Sequence, residues 1–218
     1  MPLHTVDRLE DVPDPVPDAD FVVVDVIISS TSIVRLLEAG AAYVRPFADP
    51  EAARSFGAET DALLVGEQGG APVEGFDASP LPSLLPEDIT DRPVGILTSN
   101  GTRAFERIGH DGTIFVGSTV NAAAVASTLA ERDRETWLVA AGRGGDPTPE
   151  DSAGVELVRR CYEDRLTTDA AASLAATVEE SGTAGWLREL GLGDDVNALL
   201  QFNESDVVPR LRDGVFVA

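Results

Sequence analysis

Five times along this chain a run of apolar residues stops at glycine or small polar residues, and four of those runs pass straight into a stretch with helical spacing. The four are "FVVVDVIISSTSIVRLLEAG" (21–40), "GILTSNGTRAFERIG" (95–109), "GTIFVGSTVNAAAVASTLAERD" (112–133) and "ETWLVAAGRGGDPTPEDSAGVELVRR" (135–160). The fifth, "ALLVGEQGG" (62–70), ends in a glycine turn. Asn100-Gly101 would ordinarily announce a hairpin. No second strand follows it, and Ala104, Phe105 and Ile108 share one helical face, so that stretch reads as strand, tight turn, helix.

Apolar strands alternating with helices predict an α/β fold with a mostly parallel sheet covered on both faces. In such sheets ligands bind beyond the carboxyl ends of the strands. Asp25, Glu67, Asn100, Asn121 and Asp151 all follow predicted strands, so the topology gathers them at one edge. Residues 49–58 read as a short surface helix, and the proline-rich connection 71–94 is long enough to be a lid or linker. After residue 160, "DAAASLAATVEES" and "AGWLRELGLGDDVNALLQF" read as two helices, and "GVFVA" as a final edge strand.

The length, 218 residues, suits one domain, 1–218. No segment has the apolar length of a membrane span, and the acidic N-terminus does not resemble a signal peptide, so the expected location is cytoplasmic. Cys161 is the sole cysteine, which leaves oxygen ligands, His4 and His110 for any metal. The net charge is −22, and all 16 basic residues are arginine. A lysine-free acidic surface with its acids spread along the chain is what solubility in concentrated salt favours. The same charge repels phosphate backbones and argues against nucleic acid.

Each candidate has a plainer reading beside the functional one. Asp25 interrupts a Val/Ile strand, where a buried carboxylate costs several kcal/mol unless paired, hydrogen-bonded or metal-bound. A ligand role is favoured there. Glu67 in "GEQGG" is balanced between ligand and exposed turn. Thr148, Pro149 and Asp151 spell a capping box, and Glu150 suits the helix dipole. Asn100, Thr102, Ser118 and Asn121 are either helix caps or parts of anion sites at helix N-termini. Arg143 in "GRGGDP" can hold a phosphate or sulfonate, although that loop lacks P-loop and dinucleotide spacing. Phosphatase and hydrolase signatures built on an aspartate pair, a cysteine loop or G-x-S-x-G are missing.

Taken in order, "VVVDVIISSTS", "GEQGGAPVEGFDASP", "LTSNGTRA", "VGSTVNAAAVA", "VAAGRGGDPTPEDSAG" and "DVNALLQFNESDVVPRLRDG" resemble the 2-phosphosulfolactate phosphatase family over the whole chain. The resemblance implies a three-layer α/β/α fold and a Mg2+-dependent phosphatase of a small anionic phosphorylated substrate, a step towards coenzyme M. It also implies roles for the matching positions Asp25, Glu67, Asp77, Asn100, Thr102, Asn121, Glu150 and Asp151. From Mg2+ chemistry, Asp25, Glu67 and Asp151 are expected to be the catalytic and metal-binding residues. Asn100, Thr102, Ser118, Asn121 and Arg143 are expected to bind substrate.

Three departures from the family pattern stand out. Ile28 and Gln68 occupy positions where the family has arginine, and "GFDASP" is a shortened form of a motif that carries an asparagine. Losing two arginines weakens the grip on a doubly anionic substrate. The alternatives are therefore a non-catalytic metabolite-binding protein on the same scaffold, or a different metal-dependent hydrolase. A homodimer is the base-rate expectation.

Overall fold

The computed structural model describes residues 1–86, 89–109 and 112–218. His110, weighed above as a metal ligand, lies outside the described residues. In chain order the elements are β1 (Leu3–Val6), β2 (Asp20–Val24), α1 (Ser29–Glu38), β3 (Tyr43–Phe47), α2 (Pro50–Thr60), β4 (Leu63–Gln68), β5 (Ala71–Pro72), β6 (Pro93–Leu97), α3 (Gly101–Ile108), β7 (Thr113–Gly117), α4 (Ala122–Arg132), β8 (Thr136–Ala140), α5 (Pro149–Tyr162), α6 (Thr168–Glu179), α7 (Gly182–Glu189), α8 (Gly193–Leu199), β9 (Arg210–Arg212) and β10 (Val215–Val217).

The strands form one ten-stranded sheet in the order β1-β8-β2-β7-β9-β10-β3-β6-β4-β5. Two parallel groups, β1-β8-β2-β7 and β3-β6-β4, carry most of the pairing. Every residue of β2 is buried, as an apolar run covered on both faces requires. One apolar cluster joins α1 and α3 to residues of both groups, among them Val23, Val44, Val65, Ile96 and Val116, and to Phe216 of β10 between them. The sheet therefore curls around α1 and α3. Its other face is covered by α4 and α5 over the first group and by α2 over the second. The result is a three-layer α/β/α arrangement.

The last strand is not at an edge. Together β9 and β10 form a hairpin inserted between the two parallel groups, β9 against β7 and β10 against β3. Phe216 is fully buried and meets Phe105 edge-on at 4.9 Å between ring centroids. The short strands β1, β3, β5 and β9 have no counterpart in the sequence expectations, because each is too brief to show a period. The stretch from 184 to 202 is two helices, because Gly191 adopts φ 81° and ends α7 before α8 begins. The expected surface helix is α2, capped by Asp49, whose carboxylate accepts the Ala52 N–H at 2.8 Å. The 71–94 connection packs back on β4: Asp77 accepts the Leu64 N–H at 2.8 Å, and the Gly66 N–H donates to the Ala78 carbonyl. Asp77 thus anchors a loop.

Candidate active site

A cavity of about 120 Å³ opens where β2, β4, β6 and β8 end. Asp25 and Glu67 enter it from the ends of β2 and β4, Asn100 from the β6–α3 turn, Arg143 from the loop after β8, and Glu150 and Asp151 from the first turn of α5. The topology therefore brings Asp25, Glu67, Asn100, Arg143 and Asp151 together as expected.

Local hydrogen bonds show how each of these side chains is held. Asp151 accepts the Val26 N–H at 2.8 Å and the Gly142 N–H at 3.0 Å, tying the end of β2 to the loop after β8. The capping-box reading is corrected here, because Thr148 is the N-cap of α5 without a side-chain cap bond and Asp151 serves distant donors instead. Glu67 accepts the Gly70 N–H at 2.6 Å and the Ser99 N–H at 2.8 Å, joining the β4–β5 turn to the β6–α3 turn. Asn100 accepts the Gly144 N–H at 3.1 Å, so this turn also holds the arginine loop. Arg143 is exposed and forms no ion pair among the described residues.

The other three expected substrate contacts do not line the cavity. Thr102 is buried and donates to the Phe47 carbonyl. Ser118 and Asn121 are fully buried, with Asn121 accepting the Ser118 N–H at 2.8 Å and donating to the Val116 and Val207 carbonyls. The Asn121 amide fastens the β7–α4 turn to the segment before β9, and the Ser118 hydroxyl pairs with the Thr31 hydroxyl of α1 at 2.5 Å. None of the three caps its helix through a side-chain bond.

Ile28, noted above for replacing an arginine, also lines the cavity, as do Ile27, Thr98, Thr183 and Trp186, which the sequence pattern does not point to. Trp186 comes from α7, far along the chain, and packs so closely on Gly70 that a Cβ there would lie 2.8 Å from the ring. Its signal was a rare tryptophan in a short helix. Ile28 adopts φ 99°, ψ −80°, an unfavourable conformation for a β-branched residue that costs about 1–3 kcal/mol.

Close approach fixes the floor of the site. A Cβ on Gly101 would overlap Ser29 Oγ and come 3.4 Å from Asp25 Oδ2. Gly101→Ala is therefore expected to displace the start of α3 and destabilise the protein by about 1–3 kcal/mol. A thermal melt should show a midpoint lowered by roughly 2–12 °C for a chain of this size. An unchanged midpoint would mean that α3 yields without cost.

Four carboxylates share this small space. Asp25, Glu67, Glu150 and Asp151 are all more than nine-tenths buried. Burial, reinforced by the negative charges of Asp151 and Glu67, holds the Asp25 carboxyl well above the usual carboxylate range. Burial likewise pushes Asp151 up to about 7, against the pull of the Val26 N–H. Like charges so confined are relieved by protonation, as these shifts record, or by a bound cation. Among the described residues no three Asp, Glu, His or Cys side chains converge closely enough to bind one ion directly together. The donors suit a hard ion that takes oxygen ligands, keeps several waters and touches one or two carboxylates, as Mg2+ does.

Comparison with known proteins follows the same lines. A family model described as 2-phosphosulpholactate phosphatase matches residues 4–214. A probable 2-phosphosulfolactate phosphatase of Synechococcus sp. (strain JA-3-3Ab) is 34% identical, covering 89% of this chain and 86% of the relative. Relatives of the same description from Prochlorococcus marinus (strain MIT 9313) and Gloeobacter violaceus are each 32% identical, covering 93% and 91% of this chain.

Proposed function

This chain belongs to the 2-phosphosulfolactate phosphatase family, and from that premise we propose that it is a Mg2+-dependent phosphatase of a small phosphorylated acid, 2-phosphosulfolactate or a related monoester. The observation that carries the reading is the set of four buried carboxylates around one cavity at the strand ends.

Asp25 is the residue we assign to direct contact with the ion. Unlike Glu67 and Asp151, it is not committed to clamping two separate loops. Glu150, which lines the same cavity, would add negative charge to help hold the ion there. When bound, Mg2+ would polarise the phosphoryl group and lower the pKa of a bound water. Glu67 and Asp151 act as positioning residues: by holding Gly70, Ser99, Val26 and Gly142 they fix the rim that Asp25 faces. Asn100 orients the Arg143 loop, whose guanidinium is free to pair with phosphate oxygens. Trp186 and Ile28 limit access of bulk water.

The test is phosphate release from 2-phosphosulfolactate and related phospho-acids in molar KCl, the medium suggested by the acidic, lysine-free surface. Release is expected with Mg2+ and should vanish on chelation and return with added ion. Folded protein that binds these compounds without releasing phosphate would instead support the metabolite-binding reading.

A further inference from the structure

We propose a second anion site, for a small tetrahedral oxyanion of the sulfate or phosphate kind, between Arg132, Arg134, Arg210 and Arg212 at the end of the sheet away from the cavity. It does not depend on the phosphatase reading. In a chain with 38 acidic and 16 basic residues, these four arginines gather around the start of β2. Arg132 ends α4 and Arg134 follows it, while Arg210 and Arg212 belong to β9. Arg210 stands opposite Phe115 in the pairing of β9 with β7, and strand alternation puts Arg212 on the same face. The guanidiniums of Arg132 and Arg210 lie 5.2 and 5.8 Å from the centre of the Phe115 ring.

Two carboxylates balance only part of this charge. Asp20 pairs with Arg132 and Arg134, and Asp18 pairs with Arg134 at 2.5 Å. The adjoining Asp133 and Glu135 turn to the amino terminus and to His4, at 3.7 and 3.0 Å. Arg210 and Arg212 form no ion pair among the described residues, and the Arg210 Nε is buried without an acceptor. Burial and the charges of Arg132, Arg212 and Arg134 pull the Arg210 guanidinium below its usual value, against the attraction of Asp20. A guanidinium keeps its proton near neutral pH, so solvent or an anion must meet the excess charge. The half-buried position of Arg210 favours the anion, because a partly buried pair is screened less than an exposed one. A dianion brings four guanidiniums, Asp18 and Asp20 to neutrality, and its oxygens suit the guanidinium forks.

Backbone amide NMR of the whole chain, with chelator and at constant ionic strength, would follow K2SO4 as it replaces KCl. Sulfate is neither a substrate nor a product of a phosphatase, so its binding is read apart from turnover. Saturable shifts are expected at the amides of Arg210, Leu211 and Arg212, with binding at least about threefold weaker in Arg212→Gln, a change at an exposed position. Glycerol phosphate titrated in parallel separates a site for the free ion, which excludes it, from one for a phosphate group on a larger molecule, which admits both. Shifts at these amides that rise linearly with sulfate, or a midpoint unchanged in both Arg212→Gln and Arg210→Gln, would overturn the inference. Saturable shifts confined to residues 142–145 at the cavity rim would overturn it as well.

Discussion

Asp25→Asn is expected to abolish metal-dependent phosphate release while making the metal-free protein more stable. The two effects have one cause. Asp25 is 7% exposed, and burial with the charges of Asp151, Glu67 and Glu150 raises its pKa well above the ordinary value. Below the unfolded-state value near 3.9 both states hold the proton, and Asp25 costs the fold nothing. Above it the unfolded chain ionises while the folded chain resists, so the stability associated with Asp25 falls as pH rises towards its folded pKa. Asparagine has no proton to lose. In molar KCl with chelator, the variant should melt higher than wild type by roughly 2–6 °C at pH 8, with a smaller gap at pH 4.5. Mg2+ should raise the wild-type midpoint more than that of the variant. Activity should drop by roughly 10²–10³-fold or more, the scale on which an ion's charge stabilisation acts. A variant that melts lower at every pH would identify Asp25 as a structural anchor.

The second large effect concerns the opposite end of β2. Asp20 begins that strand, roughly 17 Å from Asp25 at about 3.3 Å per residue. It is fully buried and forms a two-pronged pair with Arg132, at 2.5 Å from Nε and 2.9 Å from Nη2, with Arg134 at 3.3 Å. Arg132 also lies over the Phe115 ring at 5.2 Å. Arg132→Met leaves a buried carboxylate with one partner. The expected loss is about 3 kcal/mol, the low end for a broken buried pair because Arg134 remains. That corresponds to a midpoint lowered by roughly 6–12 °C. Phosphate release per folded molecule should be unchanged, since the pair lies at the far end of the strand from the cavity. Adding Asp20→Asn should recover part of the stability by removing the stranded charge. A shift below 2 °C for Arg132→Met would show that solvent already screens the pair.

The strand–turn–helix recurrence is legible in the residues alone, and with it the edge at which Asp25, Glu67, Asn100, Arg143 and Asp151 meet. Those signals are local: a continuous apolar run means burial on both faces, and a small polar residue ahead of helical spacing means a turn. Tertiary structure alone decided what each side chain does there. Asp151 accepts the Val26 N–H from 125 residues away, Asn121 donates to the Val207 carbonyl 86 residues away, and the closing hairpin enters the middle of the sheet and not its edge. A carboxylate or amide at a turn has several possible partners of similar strength, and its own neighbours are only some of them. Which one wins is set by the distant backbone groups that folding leaves buried and unpaired beside it, and local spacing carries no record of those.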